Sequence, residues 1–306
     1  MTRAFLKTLV SVGLIAAAAL PAQAHRNWLL PSATTFSDTN AWVSFDAAES
    51  SDVFFADHRA LGFNQIKVWA PDGSPGAIQN GNNGHFRTTF DVQLDKAGTW
   101  AVGMENNRLA GSFKVNGEEW RLGRFGRPQS GGDLRPGGGQ GGQGAMGGPD
   151  GPGREGAPVK SVATVADIPA DATDVKITEM SGRNLVFVTA GTPTNTVFQP
   201  TNKGLEMVPV THPDELVSDE AARFRFLIDG KPAAGLAVTI LPAGKRYIEG
   251  KDEIDLTTGA DGVLTIKWPR PGIYWIGTTA TDQHPSEPRA TERRMSYSMT
   301  VDVLAP

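Results

Sequence analysis

The chain has 306 residues, a formal net charge of −4 and no cysteine. That length has room for two ordinary domains. The missing cysteine excludes disulfides, thiolate metal sites and cysteine nucleophiles. Mild acidity without a long basic run argues against a nucleic-acid partner.

Residues 1–24 read as an export signal. Arg3 and Lys7 form a basic start, and Leu9 to Leu20 is almost wholly apolar or small. Pro21 then breaks the run, and Ala22-Gln23-Ala24 offers the small residues a signal peptidase accepts. The apolar run is shorter than the roughly 20 residues that span a bilayer. No later stretch is apolar enough for a membrane helix. The expectation is a periplasmic protein, not membrane-spanning after cleavage, that begins at His25.

Residues 25–122 read as an N-terminal β-sandwich. Trp42 to Asp46 is rich in aromatic and β-branched types, and Ile66 to Trp69 runs into the turn Pro71-Asp72-Gly73. Phe86 to Leu94 alternates in part, and Thr99–Met104 and Ser112–Val115 follow as two strands. Asn116-Gly117 is a hairpin signal, because both residues tolerate left-handed geometry. No window shows a sustained helical repeat.

Residues 123–157 are compositionally different. Gly123 to Gly156 holds 15 of the 36 glycines and almost nothing apolar, so it reads as a disordered insertion. Its G-x-G-x-x-G matches neither follow a strand nor open a helix, so they are composition rather than a dinucleotide site. In residues 158–203, Val175–Thr178 and Leu185–Val188 flank Ser181-Gly182 and read as a hairpin completing the first sandwich, or else belonging to the second. Residues 204–306 give cleaner strand signals: Phe224–Ile228 before Asp229-Gly230, Leu236–Leu241, Leu264–Trp268, Ile273–Ile276 and Tyr297–Val303. The expected fold is all-β, with two immunoglobulin-like sandwiches around a disordered Gly-rich insertion.

Four stretches resemble a known family. They are His25-Arg26-Asn27-Trp28-Leu29-Leu30-Pro31-Ser32, Gly204 to Pro213, Phe226 to Pro232, and Thr258 to Gly262 running to Gly272-Ile273-Tyr274-Trp275. Together they resemble the bacterial periplasmic family known as domain of unknown function 4198, whose members often carry the description of a nickel or cobalt uptake component. The resemblance covers nearly the whole mature chain, and the Gly-rich insertion is the main departure from it. It implies divalent-metal handling, a histidine at the mature start, a role for the region around His212, and β-rich domains.

The residues themselves point to a metal at His25. A free α-amine and the imidazole of the same residue would chelate one ion, and a second imidazole would complete a set suited to Cu(II) or Ni(II). His58, in Phe54-Phe55-Ala56-Asp57-His58-Arg59, is the favoured partner. If that segment were extended, Asp57 and His58 would point to opposite faces. His85 sits on a glycine- and asparagine-rich loop and is a weaker candidate. His212 precedes Pro213-Asp214-Glu215 and could use those carboxylates or sit in a hinge. His284 reads as a solvated loop residue. No nucleophile elbow and no H-E-x-x-H helix is present, so no catalytic residue is assigned. The expectation is a non-enzymatic periplasmic protein that binds Ni, Co or Cu for uptake or handling, working with an inner- or outer-membrane transport component. The alternatives are an interaction module of a transport assembly and a copper oxidoreductase.

Overall fold

The computed structural model describes residues 25–123, 160–247 and 253–306. The expected leader lies outside the described residues, and so does the expected Gly-rich insertion apart from Gly123. The first half supplies β1 (Arg26–Pro31), β2 (Thr35–Phe36), β3 (Ala41–Ser50), β4 (Arg59–Ala60), β5 (Lys67–Trp69), β6 (Gln79–Asn83), β7 (Thr88–Leu94) and β8 (Gly98–Val115). The middle supplies β9 (Glu118–Leu122), β10 (Lys160–Val162) and β11 (Thr173–Ala190). The last part supplies β12 (Leu205–Pro209), β13 (Ala221–Ile228), β14 (Lys231–Pro232), β15 (Ala237–Pro242), β16 (Ile254–Thr257), β17 (Val263–Lys267), β18 (Gly272–Asp282) and β19 (Glu292–Val303). The protein is all-β, with two immunoglobulin-like sandwiches. The helical segments among the described residues are 3-10 turns of three residues, and none is long and apolar enough to cross a membrane.

Three sheets build the two sandwiches. One carries β1, β3, β7 and β6, with β4 beside β3. Another carries β12, β13 and β14, with β17 beside β13. Between them runs a ten-stranded sheet in the order β10-β9-β8-β11-β19-β18-β15-β16, with β2 beside β11 and β5 beside β8. The first core packs Val43, Phe45, Phe90 and Val92 against Val102, Val186 and Val188. The second packs Phe224, Phe226, Leu264 and Ile266 against Ile240, Ile276, Met299 and Val301, and also against Phe187. Val186 and Val188 thus enter one core and Phe187 the other. This is why Val186-Phe187-Val188 is an unbroken apolar run: a strand buried on both faces shows no alternation.

Two of the strands expected from the sequence differ in the structure. Residues 175–188 are not a hairpin about Ser181-Gly182. They form one strand, β11, whose register with β8 runs unbroken from Lys176↔Ser112 to Ala190↔Gly98. Likewise Thr99–Met104 and Ser112–Val115 are parts of one strand, β8. The stretch Glu105-Asn106-Asn107-Arg108 is exposed and polar, which resembles a loop, but Glu105–Arg108 pair with Met180–Arg183. Main-chain pairing to β11, which is itself paired in parallel with β19, keeps this stretch extended. The Asn116-Gly117 turn forms as read, with φ of 52° and 80° between the paired Val115 and Glu118.

Beyond the two main cores, the β8–β11 ribbon carries a smaller cluster. Phe113, Leu122, Ile168 and Ile177 are buried there, with β9 and β10 alongside. Parallel pairing of β10 with β9 matches Lys160 to Trp120 and Val162 to Leu122.

Candidate metal centre

β1 and β3 pair antiparallel, with Asn27 opposite Glu49. β4 pairs with the same end of β3 and puts Arg59 opposite Glu49. His25 immediately precedes β1 and His58 immediately precedes β4, so the register brings both histidines to the Glu49 end of β3, and the loop before β4 carries the His58 ring to that face. Their rings are stacked, with centroids 3.8 Å apart and planes 6° from parallel. One nitrogen of each ring and one Glu49 oxygen all lie within 4.8 Å of one another. Among the described residues this is the group of three or more potential ligands that could hold one ion.

Glu49 was not singled out from the sequence, though a signal existed. Val43, Phe45 and Ala47 face the first core, and the same parity reaches Glu49. A carboxylate on the apolar parity of a strand is an anomaly that asks for a partner. Here the partners are Arg59, which donates to the carboxylate, and the two imidazoles beside it.

The segment 51–58 is held as a compact loop rather than an extended run. The Ser51 amide donates to Asp57 Oδ1 at 3.2 Å, which commits Asp57 to closing the loop. Trp28 Nε1 donates to Ser50 Oγ at 2.6 Å, and Ser50 Oγ donates to the Asp52 carbonyl at 2.7 Å. Phe54, with φ of 65°, sits edge-on to Trp28 at 5.6 Å. The C-terminal sandwich braces the same loop. Arg246 pairs with Asp52 at 3.1 Å and lies 3.3 Å from the Phe55 ring centroid. Trp275 Nε1 donates to the Asn27 carbonyl at 3.0 Å, and the Arg26 guanidinium lies over the Trp275 ring. The candidate centre therefore rests on a seam where Trp28, Ala48, Val53 and Leu241 are buried together.

Two imidazoles and a carboxylate fit a transition metal. This donor set binds zinc and its first-row neighbours, and three protein ligands leave a coordination position open. With bonds of about 2.0–2.2 Å, the three donors converge on one ion only after at least one of the two stacked rings turns about its side-chain torsions, because an imidazole nitrogen binds in the plane of its ring.

The other histidines lie outside this group. His85 is exposed in the turn before β7, edge-on to Phe86 at 4.5 Å. His284 is exposed, and its amide donates to Asp282 Oδ1. His212 is buried at the junction of the two sandwiches. Its Nδ1 accepts from the Asp214 amide at 3.1 Å, so the proton is on Nε2, which lies 3.0 Å from Thr99 Oγ1. Thr99 Oγ1 also accepts from the Thr194 amide, which leaves its own proton for Thr189 Oγ1 at 2.9 Å. Thr189 in turn donates to Asp214 Oδ2 at 2.6 Å. Both ring nitrogens of His212 are thus engaged within the protein, and burial holds its pKa below the ordinary value.

A family model described as "Domain of unknown function (DUF4198)" matches residues 22–282. No curated protein matches the chain. Among solved structures, trypsin-activated alpha-2-macroglobulin from Escherichia coli is 14% identical with a TM-score of 0.23, covering 92% of this chain and 16% of that one. The chain thus spans under a fifth of the length of that relative. The D0-D1 domain of intimin is 10% identical with a TM-score of 0.20, covering 90% of this chain and 97% of that one. Scores this low carry no argument about function.

Proposed function

The chain belongs to the DUF4198 family, and from that premise we propose that it is a periplasmic protein that binds a divalent transition-metal ion, Ni, Co or Cu, for uptake or handling. The observation that carries the reading is the meeting of His25, Glu49 and His58 within 4.8 Å. In this reading the two imidazoles and the carboxylate hold the ion. If export trims the chain to His25, the new α-amine becomes a fourth nitrogen or oxygen donor on the same ion. The protein's part is to present these donors on a braced loop and to pass the ion to a membrane transport component.

The test is chelator competition with Cu(II) and Ni(II) at neutral pH. His25→Ala, His58→Ala and Glu49→Gln should each weaken binding by at least roughly the 10- to 100-fold that losing a second-shell partner costs. His85→Ala and His284→Ala should leave affinity unchanged. One Ala inserted before His25 keeps every side chain but removes the amine from the imidazole, and should weaken binding about as much as His25→Ala. Affinity should fall with pH, because the donors must be deprotonated to coordinate. Unchanged affinity in His25→Ala and His58→Ala would refute the reading.

A further inference from the structure

Glu49 has two claimants. On one side its carboxylate approaches the ring nitrogens of His25 and His58. On the other it accepts from the Arg59 guanidinium. Both approaches follow from register, since Asn27, Glu49 and Arg59 stand abreast on β1, β3 and β4. Arg59 is also the chain neighbour of His58, so its backbone cannot move far without moving a ligand, although its side chain can. Its side chain is 57% exposed, against 19% for Glu49. The guanidinium can therefore swing into water, while the carboxylate stays in place.

We propose that Arg59 is a specificity-determining residue of this site, because its guanidinium competes with the incoming ion for the Glu49 carboxylate. The inference rests on the metal-binding reading given above. While Arg59 pairs with Glu49, the carboxylate that faces the imidazoles is already partly neutralised and is a weaker donor for an incoming cation. Imidazole nitrogens suit Cu, Ni and Zn, whereas Mg, Ca and Mn depend on oxygen donors. An ion of the first group gains enough from the two rings to displace Arg59. An ion of the second group needs the carboxylate and meets a cation already there. The ion pair thus biases the site against the hard divalent ions. It can be displaced because a half-exposed ion pair is weak.

The experiment is a double-mutant cycle on the full chain expressed with its own leader, with folding checked by far-UV circular dichroism. Cu(II), Ni(II) and Mn(II) are the probes. Arg59→Gln should tighten Cu(II) and Ni(II) binding by up to about fivefold, the range of an exposed ion pair. It should tighten Mn(II) binding by a larger factor, so the Ni-to-Mn affinity ratio falls. Arg59→Lys keeps a cation beside Glu49 and should stay near wild type. In the Glu49→Gln background, Arg59→Gln should have little further effect. Wild-type affinities and an unchanged Ni-to-Mn ratio in Arg59→Gln would overturn the inference. So would a gain of the same size in the Glu49→Gln background, which would make Arg59 a distant charge only. If His25→Ala and His58→Ala still weaken binding, such a failure touches Arg59 alone. If they do not, the metal-binding reading itself has failed.

Discussion

Asp214 is the residue whose ionisation the fold shifts furthest upward among the described carboxylates of the junction. Burial pushes its carboxyl up to about 7; the Thr189 hydroxyl opposes that rise, while Asp302 and Glu215 reinforce it. Between the ordinary value of 3.8 and about 7 the folded state holds a proton that the unfolded state has lost. The stabilising contribution is therefore full below the unfolded pKa and is lost as pH rises through the folded one. About three pKa units at 1.36 kcal/mol each set a ceiling near 4 kcal/mol. Urea unfolding followed from pH 4 to pH 8 should show wild type losing stability relative to Asp214→Asn. Parallel stability curves for the two proteins would contradict this. Asp72, Asp229 and Asp282 act in the opposite sense, since their partners, Lys96 for the first and Arg293 for the other two, hold their pKa values down. The difference between the two proteins, not the raw curve, isolates Asp214.

At the scale of one element, β18 shows how a glycine positions the candidate centre from a distance. Trp275 and Gly277 lie on the same face of this strand, and a Cβ at position 277 would land on the Trp275 ring. The bare glycine is what lets the indole lie flat and reach the Asn27 carbonyl. Gly277→Ala should force the indole away, break that hydrogen bond and loosen β1, at a cost of about 1–3 kcal/mol. Chemical denaturation measures the loss, and a shifted tryptophan emission should accompany it. Metal affinity should fall as well, because His25 immediately precedes β1. Retention of both stability and the emission spectrum would show that the contact is unimportant.

At the scale of the whole molecule, the two sandwiches are not beads on a string. They share the ten-stranded sheet, β11 serves both cores, and the Asp214–Thr189–Thr99–His212 chain crosses the junction. Neither core can be taken apart without exposing one apolar face of β11, a strand whose other face the remaining core still needs. Thermal or urea unfolding should accordingly be one transition, with far-UV circular dichroism and tryptophan fluorescence coincident. Two separated transitions would show that the sandwiches are independent.

Much of this protein was legible in local sequence. Alternation in Phe224–Ile228 and Leu264–Trp268 marked half-buried strands, and Asn116-Gly117 marked its turn, because period-two burial and left-handed φ depend on residue type alone. His25 stood out through its spacing from a leader-like segment, and His58 through its place beside two aromatics. What tertiary structure alone decided is which strands are continuous and which residues meet. Glu105–Arg108 stay extended because β11 pairs with them, not because of their own preference. Leu185–Val188 read ambiguously because both faces are buried, a property of the neighbours rather than of the segment. Glu49 joined the candidate centre through the register of β1 and β4 on β3, and a register that spans separate segments is set by packing, which no single stretch of sequence encodes.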